Sequence, residues 1–201
     1  CEGPLVGLVA FVVKRLWWTV AAGDRRLDEV PPRYIEPSIP LPENMRAALL
    51  LRDNLRHRRT IEHAYLDGIE RAHREILIAS AYFLPGRRLT QALCAAARRG
   101  VRVRLLLQGR MEYRLQHYAQ QALYGQLVQA GVQLHEYTPS FLHAKVAVFD
   151  DGWSTVGSSN IDPYSLLLAR EANVAVIDQG FAVQLRGELE RAIEHGSVAL
   201  Q

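Results

Sequence analysis

Apolar and polar positions follow two different periods along this chain, and each change of period marks a new element. Short apolar runs bounded by turn residues predict strands, and longer stretches with apolar positions three and four apart predict helices. The predicted order is strand 46–51, helix 58–73, strand 75–80, helix 88–99, strand 101–107, helix 114–130, strands 132–137, 143–149, 153–156 and 172–177, and helix 181–195. This alternation predicts an α/β sandwich with a largely buried mixed sheet flanked by helices.

The first 42 residues have a different pattern. Lys14 and Arg15 interrupt the apolar run 5–13, which is shorter than the ~20 apolar residues that a membrane span needs. The run predicts a helix that is packed in a core or lies at a membrane interface. Residues 3–6 resemble residues 180–183, which open the last helix. We therefore expect a closing helix of a preceding lobe at 1–22, a proline-rich linker at 23–42 and the main lobe at 43–201.

Composition leaves the class of partner open. The chain has 201 residues, 49% of them hydrophobic, which suits one domain with an ordinary core. Its net charge of +3 and pI near 9.0 permit an anionic partner, either nucleic acid or acidic lipid, without selecting one. The 2 cysteines and 7 histidines have no metal-ligand spacing. No metal and no cofactor is therefore predicted.

One stretch puts ionisable residues onto a predicted strand. The pattern H-x-K-x-x-x-x-D falls at His143, Lys145 and Asp150, and G-S-S-N-I-D follows at 157–162. A period of two puts His143 and Lys145 on one face of the strand and the valines on the other. A lysine that neutralises phosphoryl oxygens, beside a histidine that attacks or moves a proton, suits phosphate-ester chemistry. Asn160 can add an amide donor to the same oxygens.

This stretch resembles the motif of the phospholipase D superfamily, and the wider sequence resembles the C-terminal half of bacterial cardiolipin synthases. Four further segments carry the resemblance: 52–59 (RDNLRHRR), 81–86 (AYFLPG), 99–109 (RGVRVRLLLQG) and 162–165 (DPYS). The resemblance implies a phospholipase D-like fold for residues 43–201, as one lobe of a normally two-lobed enzyme. It also implies phosphodiester chemistry through a phosphohistidine.

The resemblance implies a role for each motif residue. His143, Lys145 and Asn160 are expected to face the phosphate. A carboxylate at the separation of Glu171 supports the histidine in this family, so Glu171 is expected to reach His143 across neighbouring strands. A salt bridge between Glu171 and an arginine is the alternative. The expected structural residues of the motif are Asp150, Gly157, Ser158, Ser159 and Asp162. Either serine is an alternative phosphate contact.

A second group of candidate residues lies outside the motif. Arginine suits bidentate recognition of phosphate, and aromatic residues that follow a strand suit an acyl or headgroup pocket. A solvated loop is the alternative for the arginines, and core packing is the alternative for the aromatic residues. The candidate phosphate- or lipid-binding residues are Arg52, Arg56, Arg58, Arg59, Tyr82 and Phe83.

A single H-x-K motif supplies half of what the implied reaction needs. Cleavage through a phosphohistidine requires a nucleophile on one side of phosphorus and a proton donor on the other. Of the 7 histidines, only His143 is followed two residues later by lysine. The second motif is therefore expected from a preceding lobe, which is favoured, or from a second chain. The resemblance assigns His143 the role of general acid and then base.

The implied activity is the transfer of a phosphatidyl group from an anionic phospholipid to the hydroxyl of a second lipid. In this interpretation the protein is peripheral on the cytoplasmic side of a bacterial inner membrane, and nucleic acid is not its favoured partner. Two alternatives stay open: a homodimeric phosphodiesterase or nuclease of the same superfamily, and a non-catalytic membrane-binding remnant.

Overall fold

The computed structural model describes residues 4–23, 45–111 and 114–200. In chain order its elements are α1 (Pro4–Gly23), β1 (Arg46–Arg52), α2 (Thr60–Arg71), β2 (Glu75–Ser80), α3 (Arg87–Arg98), β3 (Arg102–Gln108), α4 (Arg114–Gln129), β4 (Gln133–Tyr137), β5 (Lys145–Phe149), β6 (Trp153–Gly157), α5 (Pro163–Leu167), β7 (Glu171–Ile177), α6 (Gln179–Gly196) and β8 (Ser197–Leu200). The predicted linker lies outside the described residues from residue 24 onward. In the described part of the chain, no helix is both long and apolar enough to cross a membrane.

The described strands form one sheet in the order β1-β7-β6-β5-β2-β3-β4-β8. The pairs β2–β3 and β3–β4 are parallel, and the other neighbouring pairs are antiparallel. The sheet is therefore mixed, and the predicted α/β class is confirmed. Two elements were not predicted from the sequence, the short helix α5 and the edge strand β8.

Helices cover both faces of this sheet. Successive residues of a strand point to opposite faces, so a strand covered on both sides is apolar at nearly every position. Strand β2 is such a strand, because all six of its residues are buried. Ile76 and Ile78 pack in the cluster that includes residues of α2, α3 and α4, whereas Leu77 packs in the cluster that includes Leu189 of α6.

The strand directions bring the motif and several polar residues to one edge of the sheet. The carboxyl ends of β1, β2, β3, β4 and β6 meet the amino ends of β5, β7 and β8 there, because each antiparallel pair reverses the chain. We call this edge the motif edge. The residues at the strand ends there are Arg52, Ser80, Gln108, Tyr137, Lys145, Gly157, Glu171 and Ser197.

Candidate active site

His143 and Lys145 meet at the motif edge. The Nζ atom of Lys145 lies 3.2 Å from Nε2 of His143 and donates to the carbonyl oxygen of His143 at 3.3 Å. Lys145 is buried, with 8% of its surface exposed, whereas His143 is exposed. An ammonium group has only donors, so a hydrogen bond between these two nitrogens forms in the tautomer whose Nε2 carries no proton. The pair places an imidazole nitrogen beside an ammonium group.

The backbone that carries His143 is irregular, and side chains from the end of β3 hold it. Strand β5 begins at Lys145, so the prediction that His143 lies within the strand is wrong. Oε1 of Gln108 accepts a hydrogen bond from the Leu142 backbone at 3.0 Å. Arg110 donates to the Thr138 carbonyl at 2.8 Å and lies over the ring of Phe141. These contacts replace the strand ladder in fixing the position of His143.

Asn160 follows β6 at the motif edge, and its amide nitrogen can donate a hydrogen bond to a ligand. Its Oδ1 accepts from the backbone of Tyr82 at 3.3 Å, and within the described residues its Nδ2 makes no hydrogen bond. Ser80 donates to the Tyr82 carbonyl at 2.8 Å and accepts from the Ile161 backbone at 3.4 Å. Because Ser80 pairs with Lys145 in the sheet register, these hydrogen bonds connect the Asn160 segment to the start of β5.

The turn after β6 depends on glycine and on a residue that sequence reasoning missed. A Cβ atom at Gly157 would lie 2.2 Å from Oδ1 of Asn173, so a larger residue there requires a shift. The same Oδ1 accepts from the Ser159 backbone at 3.2 Å, and Asn173 donates to Thr155 at 3.2 Å. Asn173 is fully buried. An isolated amide within the otherwise apolar run 172–177 was the available signal.

Glu171 contacts Ser158 and not His143. Oγ of Ser158 donates to Oε2 of Glu171 and accepts from the Ala172 backbone at 3.1 Å. Strand β6 lies between β5 and β7, and two strand spacings separate the two backbones by about 9.5 Å, which extended glutamate and histidine side chains can span. The contact with Ser158 shows one position of the Glu171 side chain, and the expectation that Glu171 supports His143 stays a prediction. Within the described residues, no hydrogen bond or ion pair joins Glu171 to an arginine.

The two aspartates of the motif act on the backbone. Asp162 caps α5 by accepting from the backbone of Tyr164 at 2.8 Å and of Ser165 at 3.1 Å. Asp150 lies at the other edge of the sheet, with φ of 49°, and accepts backbone hydrogen bonds at 2.8–2.9 Å from three residues, His73, Arg74 and Glu75. Burial alone would raise the pKa of Asp150, but these hydrogen bonds and the Arg74 charge lower it.

The arginine and aromatic candidates differ in how far their side chains are buried. Arg52 is only 2% exposed, and its Nη1 donates to Asn54 at 2.7 Å and to the Ala169 carbonyl. Burial and the nearby charge of Arg58 lower the pKa of Arg52, against the influence of Asp53 and Glu171. The Arg52 guanidinium is therefore directed into the protein, which contradicts a surface phosphate contact in this conformation.

The other candidate phosphate- or lipid-binding residues also differ in burial. Phe83 is fully buried and belongs to the core, so the expectation that it lines a lipid pocket is wrong. Tyr82 is half-buried beside Asn160. The exposed candidates are Arg56, Arg58 and Arg59.

In the described part of the chain, no group of three or more His, Cys, Asp and Glu side chains could hold a metal ion.

Comparison with known sequences identifies relatives over most of the chain. The family model described as cardiolipin synthase, PLD-like domain, matches residues 65–193. Cardiolipin synthase B of Escherichia coli strain K12 is 47% identical over 152 residues, which are 76% of this chain and 37% of that protein. Cardiolipin synthase A of Pseudomonas putida strain KT2440 is 38% identical over 130 residues, 65% of this chain and 27% of that protein. The chain thus spans less than two fifths of the curated relatives it matches.

Solved structures show the same fold. Nuc of Salmonella typhimurium, a phospholipase D family member, superposes with a TM-score of 0.66 at 19% identity, covering 78% of this chain and 99% of Nuc. Phosphatidylserine synthase of Haemophilus influenzae superposes with a TM-score of 0.67 at 15% identity, covering 90% of this chain and 46% of that one. At these identities the likeness concerns the fold alone.

The resemblance inferred from the motif is therefore confirmed by an independent match of sequence. The matched residues 65–193 include the His143–Lys145 pair, the turn after β6 and the start of β7. Cardiolipin synthases are enzymes, which confirms the expectation of an enzyme domain. The chain belongs to the phospholipase D-like domain family of cardiolipin synthases.

Proposed function

We propose that this chain is a catalytic lobe of a phosphatidyltransferase that joins two anionic lipids. The observation that carries the proposal is the pairing of His143 with Lys145 at 3.2 Å on the motif edge of a cardiolipin synthase domain. Lys145 neutralises charge on the phosphoryl oxygens, and the free Nδ2 of Asn160 donates to one of them. Histidine is suited to the chemistry because it both accepts and donates a proton near neutral pH.

The proposed reaction proceeds through a covalent phosphohistidine. A histidine nitrogen attacks the phosphorus of the donor lipid, and the bond from phosphorus to the leaving alcohol oxygen breaks. The leaving oxygen takes its proton from a second histidine. The hydroxyl of the acceptor lipid then returns a proton to that second histidine and attacks phosphorus, which releases the first histidine. Each step exchanges one phosphorus–nitrogen or phosphorus–oxygen bond for another, so no cofactor is required.

We assign His143 to the second of these roles, general acid and then base. The 3.2 Å contact with Lys145 fits the base form, in which Nε2 carries a lone pair. In the acid form both ring nitrogens carry protons, so Nε2 can no longer accept from Lys145 and its proton points to the leaving oxygen. The nucleophilic histidine is contributed by a second lobe, either upstream in a longer chain or in a second copy. The matched region is 37% of Cardiolipin synthase B, which leaves room for such a lobe in that protein.

Three further assignments follow from a lipid substrate. Arg56, Arg58 and Arg59 are exposed at the loop after β1 and contact lipid phosphate. Tyr82, half-buried beside Asn160, lines the entrance to the phosphate site. The protein works as a peripheral protein on the cytoplasmic surface of a bacterial inner membrane, where both lipid substrates are located. Glu171 keeps Ser158 and the turn after β6 in place.

Trapping of the intermediate tests this proposal. Phosphatidylglycerol labelled with ³²P is mixed with the chain alone, and with an assembly that supplies a second H-x-K lobe. We expect an acid-labile, alkali-stable phosphoprotein and cardiolipin from the assembly, and neither from the chain alone. Transfer by the assembly that survives the His143→Asn substitution would contradict the assignment of His143.

A homodimeric phosphodiesterase is the second candidate, and one observation favours it. Nuc is covered over 99% of its length by this single lobe, so a chain of this size is a complete subunit of at least one family member. In this case two copies supply the two histidines and water replaces the acceptor lipid. Sedimentation equilibrium gives the mass of the chain, and hydrolysis of DNA against transfer between phosphatidylglycerol molecules separates the two activities. A dimer that cleaves DNA and makes no cardiolipin would support the second candidate.

A further inference from the structure

Large apolar side chains are exposed at one end of the motif edge. Leu55 is 85% exposed, Tyr164 74%, Leu168 60% and Leu167 42%. Single exposed apolar residues are normal on soluble proteins, but several together mark a contact surface. We call these four residues the apolar rim.

The two segments that carry the apolar rim lie side by side. Leu55 follows β1, and the other three residues precede β7. Strands β1 and β7 are antiparallel neighbours in which Arg52 pairs with Glu171, so both segments leave the sheet at the same place. The buried Arg52 side chain donates to the Ala169 carbonyl and ties the first segment to the second. The two segments that carry the apolar rim therefore lie together at one end of the motif edge.

A hydrogen-bonded turn and helix α5 hold the side chains of the apolar rim on the outside of the protein. Asp53 accepts hydrogen bonds at 2.8–2.9 Å from the backbone of residues 55, 56 and 57, which makes a compact turn with Leu55 outside. These bonds, led by those of His57, lower the pKa of Asp53. In α5, Leu166 is buried whereas Leu167 is exposed, and Leu168, which follows the helix, is exposed as well. A surface helix normally has polar residues on its outer face, so leucine in that position requires an apolar environment.

Positive charge surrounds the apolar rim. Residues 53–59 and 163–170 contain exposed arginines at 56, 58, 59 and 170 and the carboxylate of Asp53, and Asp162 and Glu171 adjoin the second segment. Arg59 lies 3.7 Å from Glu62. Within the described residues, no ion pair involves Arg56, Arg58 or Arg170. Apolar side chains ringed by arginine match the interface of an anionic bilayer, where acyl chains begin just below a layer of phosphates.

We propose that the apolar rim inserts into an anionic lipid bilayer and turns the motif edge toward the headgroups. The four apolar side chains enter the acyl boundary, and the arginines bind lipid phosphates around them. His143 and Lys145 lie at the same edge of the sheet, so this orientation brings the phosphate site to the lipid surface. The biological purpose rests on the proposed lipid substrate, but the binding itself does not require catalysis.

Vesicle sedimentation tests the proposal with the full chain. Vesicles of phosphatidylglycerol with phosphatidylethanolamine are compared with vesicles of phosphatidylcholine. We expect binding to the anionic vesicles that weakens by about tenfold or more in Leu55→Gln/Leu168→Gln, because two leucines no longer enter the acyl region. Ile177 is 52% exposed at the opposite end of β7, and Ile177→Gln is the matched control with unchanged binding. Equal binding by both variants would overturn the proposal.

Arginine substitutions test the electrostatic part. Arg56→Gln/Arg58→Gln is expected to weaken binding to anionic vesicles by about tenfold at low salt and to have little effect in high salt. Arg71→Gln/Arg98→Gln removes the same charge from the carboxyl ends of α2 and α3, at the opposite edge. An equal loss in the two double variants would overturn a specific surface, since it would reflect net charge alone.

A depth probe excludes adsorption without insertion. In a Cys1→Ser background, where Cys94 is buried, Leu168→Cys carries an environment-sensitive fluorophore and Ile177→Cys is the control. Only the probe at residue 168 is expected to be quenched by lipids labelled in the acyl chain. Quenching at neither position, or a rim variant that changes the oligomeric mass and not vesicle binding, would overturn membrane insertion in favour of a protein contact. His143→Asn should keep vesicle binding, so a failure of the proposed chemistry leaves this test intact.

Discussion

Strand β5 begins beside His143 and ends beside Asp150, so one motif supplies polar residues to the two opposite edges of a sheet. At the motif edge, the Lys145 ammonium lies 3.2 Å from the exposed imidazole of His143, and apolar side chains are exposed at one end of the same edge. At the opposite edge, the carboxylate of Asp150 accepts hydrogen bonds from three backbone N–H groups. The buried carboxylate of Glu75 is likewise paired there, with Arg102 at 2.9 Å and with Arg104 at 2.8 Å.

The two edges therefore predict different effects of substitution. A buried charge costs several kcal/mol unless it is paired, so removing a partner of a buried charged group should destabilise the fold. At the opposite edge, Asp150 and Glu75 bind groups of the protein itself, and we expect substitutions of these two residues to reduce stability. The motif edge has groups available to a ligand, and substitutions there should reduce activity with little change in stability.

The largest expected effect is the loss of activity in His143→Asn. A general acid and base contributes about 10²–10⁴-fold in rate, so transfer by the assembled enzyme should fall by that factor. The midpoint of thermal unfolding should stay the same, because His143 is exposed and outside the strand. Labelled-lipid transfer and calorimetry measure the two quantities. A large fall in the midpoint would show that the two edges do not differ as described.

The next effect is the loss of stability in Asp150→Ala. Three backbone donors lose their carboxylate acceptor, and the φ of 49° is unfavourable for alanine. We expect the free energy of unfolding to fall by about 3 kcal/mol, measured by denaturant titration. The variant that remains folded should show the wild-type rate per active molecule. Asp150→Asn is the control and should lose less, since one amide oxygen still accepts and asparagine tolerates this backbone.

Gln108 should show an intermediate effect, because it acts on His143 through the backbone. Gln108→Leu removes the acceptor for the Leu142 N–H, so His143 is held less firmly and kcat should fall by about tenfold with little change in KM. Gln108→Glu keeps an oxygen at the same position and should restore most of the rate. If both variants lose stability and activity equally, Gln108 is a packing residue only.

The smallest effect is a difference in acid sensitivity. The pKa of Asp150 is lower in the folded protein than its ordinary value. The ionised carboxylate therefore contributes its full stabilisation when the pH is above that ordinary pKa. That contribution is lost as the pH falls through the folded pKa. The difference in unfolding free energy between the wild type and Asp150→Asn should therefore decrease in acid, by an amount on the order of 1 kcal/mol given the exposure of the group. A constant difference would mean that the carboxylate charge does not matter.

Most elements could be predicted from the sequence because local signals define them. Strands β2 and β3 have runs of apolar residues, and Gly100 and Gly131, both with positive φ, end the helices before β3 and β4. Strand β8 was missed because it is only 4 residues long, Ser197–Leu200, which is too short for a clear alternation of apolar and polar positions. The motif pair was predicted because His143 and Lys145 are only two residues apart in the chain, so they lie close together even though β5 begins at Lys145.

Contacts between distant segments could not be predicted in the same way. The bond between Ser158 and Glu171 could not be predicted, because it joins the turn after β6 to a residue 13 positions later, at the start of β7. Phe83 follows a strand as an exposed pocket residue would, but a parallel bridge to Ile161 puts it in the core. The role of Asn173 depends on Gly157, which is 16 residues earlier in the chain and directly opposite in the sheet register.

The central claim is that the motif edge of this chain is one half of a phosphatidyltransferase site. The most direct test compares cardiolipin formation by the purified chain, shown to be monomeric by sedimentation equilibrium, with formation after an H-x-K lobe is added. The account predicts no product from the monomer, and product from the assembly that is lost in His143→Asn. Robust cardiolipin formation by the strictly monomeric chain would contradict it.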